Sequence, residues 1–498
     1  MFFIMNPQYK ISLLSVLGLV LLLPLFFIPS ALLPIGIAKS ALLTLGTIVA
    51  FLAFVVDTLR SGKISLPSHK IMWVAVLFPV IYFLSSVLGS SSSFSLFGYS
   101  LEVGTFGLML LVSVLFGVTA VITTDIPRAM RIYGAFLISS SVLTLFAVIK
   151  ILSGGNVLVM NVLNGNMGNP VGAWTDYAVV FGLISVISLM ALTMLELLKR
   201  MKVFQTILFI LSVVLLAILN FSIAWWVLLV ISLMVLVYLL TVEKEKKKTL
   251  WPAVTLFVLA LLFTINPVVS STKGNIGNVV SGAFNVQNAD VRPSLSTTLG
   301  VAKATLSDSK HALLGSGPNT FYKDWFMYKP LTINSTLFWN TNFQFGAGFI
   351  PTQIAETGVL GALAWIIFFV LFLRLGLKAL VRNPEDKNTR YAVISSFAGS
   401  LFLWVAVFFY VPSATILALA FIFTGLFVGV SKASGIIPTK DWMFSEKVVT
   451  NFASVLVSIV LVIGAVALGF VTYQKIASVV HFEKALILSN TPNTPIDK

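Results

Sequence analysis

Apolar runs of about twenty residues follow one another along almost the whole chain, and that pattern restricts what it can fold into. Crossing a hydrocarbon core of about 30 Å takes about 20 apolar residues in a helix. Runs of that kind lie at 11–28, 40–56, 71–88, 105–122, 132–150, 175–195, 203–220, 224–241, 251–266, 357–380, 391–410, 413–431 and 448–472. Inside hydrocarbon each backbone polar group must find its partner within the segment, so such serial runs are helices. The expected fold is all-α: a polytopic transmembrane helical bundle of about thirteen spans with one long extracytoplasmic loop. Only 10% of the residues are charged, against about 25% in soluble domains. The run at 11–28 has the length of a signal-peptide core, but no convincing small-x-small cleavage site follows it, so it reads as a retained helix.

The formal net charge is +15. Nucleic acid is excluded as the explanation by where the charges sit. With Met1 on the cytoplasmic side, 21 of the 32 Lys and Arg residues fall on inner loops, among them Arg60, Lys63, Arg128, Arg131, Lys199, Arg200 and the run at 243–248. Short inner loops carry this excess in membrane proteins generally. The same topology puts the segment 267–345 and the tail 473–498 outside. Residues 1–472 form the transmembrane domain with that loop as its active part. The tail reads as one short amphipathic helix and a Pro/Asn-rich end, a pattern that also fits the start of a helical-repeat region.

The long outer segment is the one stretch that is neither membrane-like nor highly charged. Its scattered apolar patches predict short helices lying over the membrane, not a separate soluble domain. Arg292 is the only arginine expected outside, and a guanidinium grips phosphate oxygens two at a time; pairing with Asp290 or Asp308 is its alternative. His311 is the loop's only histidine, a candidate general base near neutral pH or a solvated side chain. Glu356 stands at the start of its span, either beside the site or capping that helix. Lys303, Lys310 and Lys323 form a candidate donor-binding patch with Tyr322, or else are solvated loop charges. Trp325, Tyr328 and Trp339 are candidate sugar platforms or interface anchors. Central parts of the spans carry essentially no ionisable residue, which favours surface chemistry over transport through the middle. There is no cysteine and no outer Asp-x-Asp or His-rich set, so neither a metal nor another cofactor is expected.

Three strings add a resemblance. They are LFGYSLEVGTFG at 96–107, MGNPVGAWTDYA at 167–178, and the succession of Arg292, LLGSGPNTF at 313–321 and QIAETGVLGALAW at 353–365. Together they resemble the O-antigen ligase and O-antigen polymerase superfamily of bacterial membrane glycosyltransferases, over nearly the whole chain. The resemblance implies a C-type-glycosyltransferase-like enzyme in the bacterial cytoplasmic (inner) membrane. It would transfer or polymerise a glycan from a polyprenyl-diphosphate-linked donor onto a lipid or glycan acceptor, without a metal, with loop arginines holding the diphosphate. Arg292, His311 and Glu356 are then the catalytic candidates. The chain departs from the family pattern at two places. NFQFGAGFIPT at 342–352 lacks the loop histidine, and FSIAWW at 221–226 has Ile223 where an arginine is expected. The alternative function is a non-catalytic or transport protein, either a lipid-linked glycan flippase or a carrier-binding relative.

Overall fold

The computed structural model describes residues 8–30, 32–157, 159, 163, 165, 168–241, 250–270, 274–286, 291–443 and 448–489. Seventeen helices account for nearly all of its regular structure among these residues. In order they are α1 Lys10–Leu22, α2 Ile35–Ser61, α3 Ile71–Leu88, α4 Ser92–Phe97, α5 Phe106–Ile122, α6 Ile126–Leu152, α7 Trp174–Met194, α8 Lys199–Leu219, α9 Ser222–Thr241 and α10 Trp251–Ile265. Then follow α11 Ile276–Ala283, α12 Leu295–Ser307, α13 Phe321–Tyr328, α14 Phe349–Arg382, α15 Lys387–Phe409, α16 Ala414–Ala433 and α17 Val448–Ser489. Ten are long and apolar enough to cross a membrane, and α1, α5 and α10 are shorter apolar helices. The protein is a multi-pass α-helical membrane protein.

Two helices sit at its centre. The apolar windows of α7 and α16 are buried throughout, as expected of helices that are hydrophobic on every side. α5 packs along α16, α8 along α7, and α15 touches both central helices. The α5–α16 approach depends on Gly425 and Gly429, one turn apart. A β-carbon on Gly425 would lie 2.6 Å from the carbonyl oxygen of Phe116, and one on Gly429 2.9 Å from that of Ala120. Small residues at this spacing let backbones close up where no hydrophobic force distinguishes helix from lipid.

Several helix ends differ from those the hydropathy predicts, each for a local reason. α1 stops at Leu22 because Pro24 cannot donate to the ladder. α2 begins at Ile35, directly after Pro34, and so takes Lys39 into its first turns. α6 begins at Ile126, where the Asp125 side chain accepts from the Arg128 amide. α17 runs unbroken past residue 472 to Ser489, so the expected tail helix continues that span, and Lys475 on it donates to the carbonyl of Gly98 at 2.8 Å. Residues 490–498, the expected Pro/Asn-rich end, lie outside the described residues. At the end of the bundle away from the long loop, β1 Lys63–Pro67 pairs antiparallel with β4 Thr439–Met443.

The loop between α10 and α14 carries a small antiparallel pair, β2 Val268–Ser270 with β3 Gly274–Asn275, then α11, α12, α13 and a 3-10 turn at Leu331–Ser335. Its apolar cluster joins Val301, Ala302, Phe321 and Trp325 to Ala355 of α14. The loop closes its core against the membrane helix itself.

Candidate functional site

α14 contains a break, and the break organises the site. Gly358 has φ 68 and ψ −164 inside an otherwise helical run, a conformation open to glycine alone. Breaking the ladder there frees carbonyls and amides, and the loop string 313–317 takes them up. The Ser316 amide donates to the Ala355 carbonyl at 3.1 Å and the Gly317 amide to that of Glu356 at 3.0 Å; in return Val359 and Leu360 donate to Ala312 and Leu313, each at 3.1 Å. The fit leaves no room for side chains. A β-carbon on Gly358 would lie 2.5 Å from the amide nitrogen of Gly315, and one on Gly315, at φ +71, 2.3 Å from the carbonyl carbon of Glu356. From α3, the Ser85 hydroxyl reaches the carbonyls of Leu314 at 2.5 Å and Glu356 at 2.9 Å.

Glu356 is fully buried in this junction. Its Oε1 accepts from the Phe321 amide at 3.0 Å and its Oε2 from Gln353 Nε2 at 2.6 Å. The expectation that it begins and caps its own helix is corrected. α14 starts seven residues earlier, at Phe349, and the carboxylate caps the N-terminus of α13 instead. The first string arrives on the same spot. Asn319, held at φ 61, donates through Nδ2 to Glu102 Oε2 at 2.9 Å. A β-carbon on Gly104 would lie within 3.8 Å of both Gln353 and Glu356. Beneath the string, Ser316 Oγ donates to Asp324 Oδ2 at 2.6 Å. Burial pushes the Asp324 carboxyl up to about 6, opposed by that hydroxyl and by nearby His311.

Arg292 lies just ahead of α12. Its guanidinium carbon stands 5.7 Å over the ring of Tyr410, at the end of α15. The Tyr410 hydroxyl donates to Asp176 Oδ1 at 3.0 Å, and the Ser413 amide donates to the same oxygen at 3.0 Å. Asp176 is buried in the first turn of α7 and feels the charge of Lys39, itself buried on α2 and donating to the Leu23 carbonyl. Phe221, next to α9, meets the Tyr410 ring edge to face at 5.6 Å. The start of α14 is fastened here too, with the Phe349 amide donating to the Tyr410 carbonyl at 3.1 Å. The second string's Asn169 folds its own turn, Oδ1 accepting from the amides of Val171 and Gly172, each at 3.0 Å.

The other sequence candidates are more dispersed. His311 is half-buried, with Nδ1 3.1 Å from Asp308 Oδ2. Lys303 and Lys310 are exposed, on α12 and the turn after it. Lys323 lies over the ring of Tyr322, which itself meets Phe94 edge to face at 6.0 Å. Trp325 is buried, its indole donating to the Thr341 carbonyl at 3.1 Å, whereas Tyr328 and Trp339 are exposed. Asp290, the alternative partner for Arg292, lies outside the described residues.

Sequence reasoning missed Lys39, Asp176 and Tyr410. Lys39 and Asp176 are ionisable groups within helices, near the ends that meet the loop and outside the central parts expected to hold essentially none. Parity along the helices was the available signal, since alternating spans bring all three to the end that carries Arg292. No protein-family model and no curated protein matches this chain.

Proposed function

We propose that this protein is a membrane glycosyltransferase that takes its glycan from a polyprenyl-diphosphate-linked donor at the outer face of the bacterial cytoplasmic membrane. The observation that carries the reading is the setting of Arg292. Its guanidinium carbon stands 5.7 Å over the Tyr410 ring, at the end of the bundle that carries the loop, where the headgroup of a lipid-linked donor would lie. Further support comes from the meeting of the resembling strings. The first and third are tied through Glu102–Asn319, the two halves of the third through Glu356–Phe321, and the second and Arg292 through Asp176 and Tyr410.

In this reading an acceptor hydroxyl attacks the anomeric carbon as the bond to the diphosphate oxygen breaks. The hydroxyl proton passes to a base, and the polyprenyl diphosphate leaves with the bonding electrons. Arg292 stabilises the charge that develops on it. Glu356 is closed off by its own hydrogen bonds, so the base role falls to His311, oriented by Asp308.

The test is transfer from a polyprenyl-diphosphate donor by wild type and by Arg292→Lys. Lysine keeps the charge but loses the two-pronged contact and the stacking, so transfer should fall by about a hundredfold, about 3 kcal/mol, with expression unchanged. Full activity in the variant overturns the assignment. Donor binding without transfer in the wild type would favour the carrier-binding reading.

A further inference from the structure

Between Asp324 and Glu356 the chain carries one charged residue, Lys329, and part of that stretch is an exposed apolar arm. Phe326 and Met327 stand out from the end of α13, whose other face buries Phe321, Asp324 and Trp325. Beyond them Leu331 is 85% exposed and Leu337 91%, and Trp339 is exposed as well. The arm is fastened in this form. Lys329 lies 5.9 Å over the Phe326 ring and donates to the Trp339 carbonyl, while Trp325 at the base donates to the Thr341 carbonyl at 3.1 Å. Soluble surfaces rarely gather so many large apolar side chains without a partner.

The partner follows from what the arm is continuous with. Phe83 is exposed on α3, a membrane span. Its ring meets Phe106 at 5.3 Å, and Phe106 meets Phe97 of α4 at 6.4 Å. One turn back on α4, Phe94 meets Tyr322 at 6.0 Å, and Phe326 follows Tyr322 by one turn of α13. Leu313 of the loop string is exposed too, and its carbonyl accepts from the amide of Leu360, exposed on α14. The lipid-facing surface of α3 and α14 thus runs on into the loop. We propose that the arm 326–339 inserts into the bilayer interface on the loop's side, with a phospholipid surface as its partner. Aromatic rings and lysines settle at that depth, the rings in the apolar boundary and the ammonium groups toward the headgroups. Lys323 and Lys329 are placed for the second part, each against a ring of α13. So anchored, α13 stays at headgroup depth. The inference does not depend on the glycosyltransferase reading.

The chain has no cysteine, so single spin labels can be placed on the full protein in nanodiscs, which leave both faces open to water. Labels at Leu331→Cys and Leu337→Cys should collide more with oxygen, which concentrates in lipid, than with a water-soluble nickel chelate. Ser307→Cys, exposed beside Asp308 at the end of α12, should show the reverse, so the oxygen-to-nickel ratio should be several-fold higher at both arm sites. All three side chains are exposed, and substitution there leaves the fold intact. Lipids brominated near the headgroup should also quench the tryptophan fluorescence of wild type more than that of Trp339→Phe. A ratio at either arm site no higher than at Ser307 would mean that the arm faces water, and would overturn the inference. Low collision with both reagents would mean that a second copy covers the arm, and unchanged quenching in Trp339→Phe would leave Trp339 out of the lipid; either result overturns it as well.

Discussion

Replacing Gly358 by alanine probes the junction on which the loop is built. Two costs add. The backbone there, φ 68 and ψ −164, is a conformation that alanine adopts only at about 1–3 kcal/mol. The new β-carbon would also sit 2.5 Å from the Gly315 nitrogen and the Leu313 carbonyl carbon, backbone atoms held by the hydrogen bonds to Val359 and Leu360. Overpacking of that kind costs about 1–3 kcal/mol. The string should therefore detach from the break more readily by about 2–6 kcal/mol, which is roughly thirty-fold to more than ten-thousand-fold in the opening equilibrium. Lys310 and Lys323 flank the string, so native-state trypsin cleavage reads that equilibrium when opening is fast relative to cutting. Gly300→Ala is the control: it lies in the same loop, inside α12, with no atom near its would-be β-carbon, and should be neutral or stabilising by up to about 1 kcal/mol. Gly315→Ala should resemble Gly358→Ala, and the double variant should be less than additive because both break one junction. Protease resistance of Gly358→Ala within about twofold of wild type would refute the threading of 313–317 through α14.

Three further outcomes follow from the site. Asp324 has its carboxyl raised from 3.8 to about 6 by burial, so the folded state holds the proton more tightly than the unfolded one. The contribution is fully present below about 4 and is lost as pH rises through about 6, a difference of about 3 kcal/mol at most. Trypsin-independent loop protection, read by hydrogen exchange, should fall over that window, and Asp324→Asn should flatten the dependence. At the other cluster, Asp176→Ala orphans the Tyr410 hydroxyl and the Ser413 amide and should destabilise the protein by about 2–4 kcal/mol in thermal melts. Tyr410→Phe should keep diphosphate affinity, because the ring remains under Arg292, while Tyr410→Leu should weaken it between about twofold and thirtyfold; equal effects of the two would remove the stacking from the account.

The apolar runs by themselves determined that the chain is a helical membrane protein, and where most helices lie, because hydrocarbon leaves the backbone no other way to satisfy itself. Prolines and caps legible in the sequence explain why α1, α2 and α6 begin or end where they do. Arg292 could be singled out for its isolation, and Gly315, Gly317 and Gly358 could be seen as glycines. Their meaning could not. That Gly358 breaks α14, that the loop string fills the break, and that Glu356 caps α13 and not its own helix depend on hydrogen bonds between segments some forty residues apart. Lys39, Asp176, Tyr410 and Arg292 come from four separate stretches, and each taken singly resembles an ordinary residue near a helix end. Only packing brings them together, because hydropathy reports where a helix lies along the chain but not which neighbours its ends will meet.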